Sequence, residues 1–283
     1  MKTKTAAIFF LAVLTLWGFP AQGGAAPLLP LELTEARPHD QGHYTQGLFF
    51  YRGRLFESAG RYGLSRLAKY DFAKGRPPEL IKKYDLPEQY FAEGAAVAAD
   101  EIYLLTWREE TGFVLDPATL MLKRKFSYEG EGWGLAWDGV RLWRSDGSSR
   151  LFPHLPGEFA PAGPALTVRD GDREIDRLNE LEWDPATGLM LANVYGRDLV
   201  AAIDLENGQV RFWLDARPLR GLAEKAGLAG TGQPYDVVLN GLALDGDGLW
   251  LTGKLWPRLY RATWPPAEAP PAVMKDSIIE GER

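Results

Sequence analysis

The chain has 283 residues, 38 of them acidic against 32 basic, no cysteine, and a net charge of −6. Without cysteine there is no disulfide, thiolate nucleophile or sulfur-bound metal. A mildly acidic balance with no basic run argues against nucleic acid or an anionic membrane as partner.

The N-terminus reads as a leader. Lys2 and Lys4 precede an apolar run from Ala6 to Trp17, and the small residues Ala21-Gln22-Gly23-Gly24-Ala25 follow. Charge, length and cleavage chemistry are those of a secretory signal peptide, expected over residues 1–25. The run is short for a bilayer span, so no stable membrane insertion is expected after cleavage. Export without cysteine suits a periplasmic or secreted protein. Loss of Lys2 and Lys4 leaves the mature chain near −8.

Residues 27–265 read as one domain in which a single pattern returns five times. Its openings are Thr45-Gln46-Gly47-Leu48, Ala92-Glu93-Gly94-Ala95, Gly132-Trp133-Gly134-Leu135, Asn179-Glu180-Leu181-Glu182 and Asn240-Gly241-Leu242-Ala243. Successive anchors lie 47, 40, 46 and 61 positions apart. Strand-built periods of this size are the signature of propeller blades.

In each module two short apolar runs flank a turn. The pairs are 47–51 with 55–58, 94–98 with 102–107, 134–137 with 141–145, 181–183 with 189–193, and 241–244 with 249–252. Turns such as Asp138-Gly139 and Asp245-Gly246-Asp247-Gly248 are strong hairpin signals. Third strands are expected at 65–70, 112–115, 150–152, 199–203 and 258–263, and fourth strands at 80–84, 122–126, 165–168 and 210–214. The fifth module runs into Pro265 and Pro266 with no fourth strand, so Leu31–Ala36 is expected to close the ring as its outer strand. Leu219 to Ala229 has helical spacing and accounts for the longest interval. The tail, 266–283, reads as exposed and poorly ordered. The fold expected is all-β: a five-bladed β-propeller closed by an N-terminal strand, with a short helical insertion before the last blade, acting as a monomer.

In an antiparallel hairpin the start of the first strand and the end of the second share one end. One mouth of the channel therefore collects Tyr44, Gln46, Phe91, Glu93, Trp133, Asn179, Glu180 and Asn240 from the openings. The second-strand ends add Glu57, Trp107, Asp146, Asn193, Tyr195, Lys254 and Trp256. The opposite mouth reads as ordinary turn chemistry. An apolar cup with a few convergent polar groups suits a small molecule or a peptide end. Duller roles exist for several of these residues. Trp133 and Trp137 can pack between blades, Asn179 and Asn240 can cap strand starts, and Glu182 and Asp204 read as structural or exposed. His39, His43 and His154 are scattered, so no histidine-bound zinc is expected.

The strings Tyr44-Thr45-Gln46-Gly47-Leu48, Tyr90-Phe91-Ala92-Glu93-Gly94, Glu131-Gly132-Trp133-Gly134-Leu135, Leu178-Asn179-Glu180-Leu181-Glu182 and Thr252-Gly253-Lys254-Leu255-Trp256-Pro257 resemble the glutaminyl-peptide cyclotransferases of the plant and bacterial type. So do the shorter matches at 57–60, 105–107, 145–148, 192–195 and 239–241. The resemblance runs from about Thr34 to Trp264. It implies a five-bladed propeller that converts the N-terminal glutamine of peptides to pyroglutamate and releases ammonia, with no metal and no cofactor. It also implies Glu93 as the key carboxylate and proton shuttle, with Gln46, Asn179 and Lys254 as the other catalytic polar groups. The aromatic cup would be Phe91, Trp107 and Trp133, joined by Tyr44 where phenylalanine is usual and Tyr195 where tryptophan is usual. Two rival readings stay open at this point. One is a calcium-dependent lactonase-like hydrolase using Glu93, Asp146, Asn179 and Asn240 as oxygen ligands. The other is a non-catalytic secreted propeller that binds peptide ends.

Overall fold

The computed structural model describes residues 25–228 and 234–269, so almost all of the expected leader and most of the expected tail lie outside the described residues. Five sheets stand around one axis. Blade one is Thr45–Tyr51, Arg54–Ala59, Arg66–Asp71 and Glu79–Asp85. Blade two is Ala92–Ala98, Glu101–Thr106, Thr111–Leu115 and Leu122–Ser127. Blade three is Leu135–Trp137, Leu142–Ser145, Arg150–His154 and Leu166–Thr167. Blade four is Leu178–Asp184, Leu189–Val194, Leu199–Asp204 and Val210–Asp215, and blade five is Leu239–Asp245, Gly248–Gly253 and Arg258–Thr263. Inner strands are apolar and largely buried. The outer strand Glu79–Asp85 is almost wholly exposed, and Lys82 and Lys83 blunt its edge against further pairing.

Ring closure follows the expectation. Leu33–Pro38 runs antiparallel to Arg258–Thr263 as the outer strand of blade five, pairing Leu33 with Ala262 and Pro38 with Arg258. A second closure was not foreseen: Leu28–Pro30 pairs in parallel with Val210–Asp215 as a fifth strand on blade four. The N-terminal segment thus straddles two blades. A small hairpin, Arg169–Asp170 with Arg173–Glu174, is also additional. The inserted helix spans Arg217–Lys225, with Pro218 in its first turn, and buries Leu219 and Ala223.

Apolar clusters fill the five gaps between neighbouring blades. Phe49, Phe56, Ile102 and Phe113 lie between blades one and two, and Tyr103, Phe126, Leu135 and Phe159 between two and three. Trp143, Leu181 and Met190 join three to four, Leu191, Leu249 and Trp256 join four to five, and Leu48, Leu55 and Trp250 join five to one. At the axis the inner strands nearly touch. A Cβ on Gly134 would stand 2.0 Å from the Asn179 carbonyl oxygen, and the Gly94 N–H donates to the Trp133 carbonyl at 2.6 Å. Only glycine permits that approach.

Four blades share one local device. Their first two strands slip register by one extra residue at the opening: between Thr45 and Gly47, Ala92 and Ala95, Leu178 and Leu181, and Leu239 and Leu242. Such bulges re-aim side chains. Here the re-aimed residues include Gln46, Glu93, Asn179 and Asn240. The opposite mouth corrects the sequence reading. It holds a cavity of about 610 Å³ lined by Phe50, Tyr51, Trp137 and Trp183 among others, and is more than plain turns.

Candidate functional site

The mouth formed by strand openings holds a cavity of about 410 Å³. The nine residues that the resemblance assigned to catalysis and to the aromatic cup all line it: Tyr44, Gln46, Phe91, Glu93, Trp107, Trp133, Asn179, Tyr195 and Lys254. Arg61 and Asp236 line it too. Neither carried a sequence signal. Arg61 sits in the loop beyond a second strand, and Asp236 in the short turn Pro234–Val237 after the helix.

The floor is polar and buried. Gln46, Glu93, Asn179 and Lys254 are each at most 5% exposed. Asn240 donates to the Gln46 side-chain carbonyl at 3.1 Å and to the Thr45 carbonyl at 2.9 Å. That fixes the Gln46 amide so that its Nε2 donates to Glu93 Oε1 at 2.9 Å. Asn240 is therefore the strand-start cap foreseen as its duller role. The backbone carbonyl of Asn179 accepts Ser145 Oγ at 2.7 Å, while its side-chain Oδ1 has no partner among the described residues. Burial pushes the Glu93 carboxyl well above the usual carboxylate range; Lys254 pulls the other way, and the charges of Glu131 and Glu109 add to the rise. Burial likewise pushes Lys254 down to about 8, against the opposing pull of Glu93 and Asp236.

The walls are a chain of rings. Tyr44 meets Phe91 edge-on at 6.2 Å, Phe91 meets Trp107 at 5.6 Å, and Trp133 meets Tyr195 at 5.7 Å. Lys254 Nζ completes the circuit, 4.5 Å from the Tyr44 ring centre and 5.2 Å from that of Tyr195. Cation–π contacts of this kind hold a desolvated ammonium. Gly147 clears room for the wall: at φ +82° it would set a Cβ 2.7 Å from the Trp133 ring.

Other rim expectations are not met. Trp256 is core and donates Nε1 to the Val237 carbonyl. Asn193 accepts the Gly241 N–H, and Asp146 caps Ser148. Glu180 accepts the Leu48 N–H along the inner strand of blade four, where Glu182, read as structural, accepts that of Leu244. Glu57 belongs to a separate cluster, and two histidines read as scattered converge on it. His39 Nε2 lies 2.9 Å from Glu57 Oε1, and His43 Nδ1 lies 2.8 Å from Oε2. These three side chains are the described residues grouped closely enough to hold a metal. One nitrogen of each imidazole, however, addresses its own carboxylate oxygen at hydrogen-bond length, and His39 Nδ1 is occupied by the Trp256 carbonyl at 2.7 Å. With acceptors facing both ring nitrogens, the site favours the protonated form of His39. The cluster is a proton-held clasp joining the N-terminal segment, blade one and blade five.

The cup can take a small polar group against an acid of raised affinity for protons, beside a cation and inside aromatic walls. Against known proteins, residues 7–263 match the family model of glutamine cyclotransferase. The chain is 36% identical over 236 residues to a glutaminyl-peptide cyclotransferase of Arabidopsis thaliana, covering 82% of this chain and 70% of that one. The crystal structure of Myxococcus xanthus glutaminyl cyclase superposes with a TM-score of 0.74 at 31% identity, over 83% of this chain and 97% of that one.

Proposed function

The chain belongs to the glutamine cyclotransferase family, and we propose from that footing that it cyclises the N-terminal glutamine of peptides to pyroglutamate with release of ammonia. In this reaction the α-amine attacks the side-chain amide carbon. A tetrahedral centre forms, the carbon–nitrogen bond to the amide nitrogen breaks, and ammonia leaves. The barrier is one of folding the residue back on itself and moving a proton from the attacking nitrogen to the departing one. A cup that clasps the bent residue supplies the first need, since oriented intramolecular reactions gain up to about 10⁵–10⁸ M in effective molarity.

Glu93 supplies the second. Its carboxylate takes the proton of the attacking amine and hands it to the departing nitrogen. Burial raises its affinity for protons well above that of an ordinary carboxylate, which suits it to both taking and returning the proton. Gln46 spends its N–H on Glu93, so its role is to aim that carboxylate. The Lys254 ammonium faces the developing oxyanion, and the unpartnered Asn179 Oδ1 receives an N–H of the substrate. Aromatic walls exclude water and strengthen each of these bonds.

The observation that carries this reading is a buried carboxylate, aimed by an amide relay and facing a buried lysine, at the floor of an aromatic cup. Ammonia release from a Gln-initiated dipeptide amide, with and without chelator, tests it. Wild type is expected to be active and chelator-resistant, and Glu93→Gln to lose about 10²–10⁴-fold. Undiminished activity in that variant would remove Glu93 from the chemistry. The lysine-flanked apolar run at the N-terminus supports export. N-terminal sequencing of the exported protein should find a start near residue 26; a start at Met1 would refute cleavage.

A further inference from the structure

Glu131 opens the loop before the inner strand of blade three and lies outside the set of residues that line the cup. Its side chain nevertheless reaches two of the walls. Oε2 accepts the indole N–H of Trp107 at 2.8 Å and that of Trp133 at 2.9 Å. Oε1 accepts Arg108 Nε at 3.0 Å. The Arg108 guanidinium in turn lies over the Trp107 ring, 3.7 Å from its centre. Trp107 is thus held at its edge by Glu131 and on its face by a cation that Glu131 also anchors. Trp133 comes from the neighbouring blade and is pinned by the same oxygen. An indole has a single donor, so one acceptor placed between two indoles sets the rotation of both.

We propose that Glu131 is a positioning residue for the cyclisation: one carboxylate locks the Trp107 and Trp133 rings of adjacent blades into a single wall against which the bent glutamine is pressed. The inference rests on the cyclase reading and deepens it. A wall fixed before the substrate arrives spares the cost of freezing two large side chains on binding. Charge adds a second effect. Burial does most to raise Glu93, and the Glu131 charge adds to it. Glu131 itself stays ionised, because the hydrogen bonds from Trp133, Trp107 and Arg108 outweigh its own burial and lower its carboxyl.

Two variants separate these roles. Glu131→Ala frees both indoles and removes the charge. Its kcat/KM is expected to fall roughly 10- to 100-fold, as for a misplaced binding wall, and its acid limb to move to lower pH as Glu93 becomes more acidic. Glu131→Gln keeps a carbonyl oxygen with two lone pairs for the indoles. It should recover most of the rate at the optimum and keep the displaced acid limb. In the free protein, without substrate, Glu131→Ala should lose near-ultraviolet circular dichroism from tryptophan while its far-ultraviolet spectrum and Tm stay unchanged; Glu131→Gln should retain the signal. An unaltered near-ultraviolet spectrum in Glu131→Ala, or an acid limb unmoved in both variants, would overturn the proposal. Absence of ammonia release from wild type would instead sink the cyclase reading, and the spectra would still report on the wall.

Discussion

Lys254 is the residue whose chemistry depends most on its surroundings. Two phenol rings and Glu93 hold its ammonium out of water, and burial brings its proton loss down to about 8. An ammonium that must donate to an oxyanion loses that capacity as pH rises through this value. We therefore expect kcat to fall above about pH 8. In Lys254→Arg the rate should be lower at every pH, but that alkaline fall should vanish, because a guanidinium stays protonated throughout. An unchanged alkaline limb in Lys254→Arg would assign it to another group. At this scale strand polarity told which mouth Glu93, Trp107 and Lys254 join, but it did not tell that Trp256, at another strand end, turns into the core. Arg61 and Asp236 escaped because they sit on loops whose reach no periodicity specifies. Gln46 was legible as a site residue, but its task depends on which side of its amide Asn240 holds, and that only the fold decides.

Among the elements, the inner strands act through their glycines. A methyl on Gly134 would collide with the Asn179 carbonyl, so Gly134→Ala should cost about 1–3 kcal/mol by overpacking. The displaced carbonyl belongs to a residue of the cup, so kcat/KM should fall along with the urea midpoint. Gly221, in the helix Arg217–Lys225, has nothing within 4 Å of an added Cβ. Gly221→Ala should stabilise by about 0.5–1 kcal/mol and leave activity alone. A midpoint equal to wild type in Gly134→Ala would refute the tight approach. Hairpins were readable because Asp-Gly turns separate apolar runs. The strand Leu28–Pro30 was not: two leucines and a proline show no alternation, and its pairing is decided by the exposed edge of blade four. The bulges escaped for a related reason. An extra residue leaves the apolar pattern on either side intact, yet it decides where Glu93 points.

For the whole molecule, the clasp of His39, His43 and Glu57 ties the start of the ring to its end. Burial alone would raise Glu57, but the two imidazoles outweigh it and hold the carboxyl well below its usual range. Burial alone would lower both histidines, but Glu57 outweighs it and raises them, with Asp40 helping and Arg66 opposing at His43. The histidine contribution to stability is complete below an unfolded value of 6.5 and is lost as pH rises through the higher folded values. The Glu57 contribution is complete above an unfolded value of 4.5 and is lost as pH falls through its depressed one. Tm should therefore be highest between about pH 4.5 and 6.5 and decline toward alkaline pH. Glu57→Gln should cost about 3–5 kcal/mol and flatten the alkaline decline. An alkaline slope equal to wild type in that variant would dissociate the clasp from it. The blade count was open to sequence because repeats record themselves; the clasp was not, because its two histidines sit on the loop between the N-terminal strand and blade one, whose path no periodicity specifies.

Closure by the N-terminal segment also dictates an order of events. Thr34 and Arg261 meet although they are 227 positions apart along the chain. A strand that precedes the first blade is thus paired with the last strand of the fifth. Each blade can gather its own strands by short loops, but the circle cannot lock until the final hairpin exists, and contacts so remote are slow to form. Until that moment the edges of blades four and five stand bare, which makes the unfinished ring the species most exposed to aggregation.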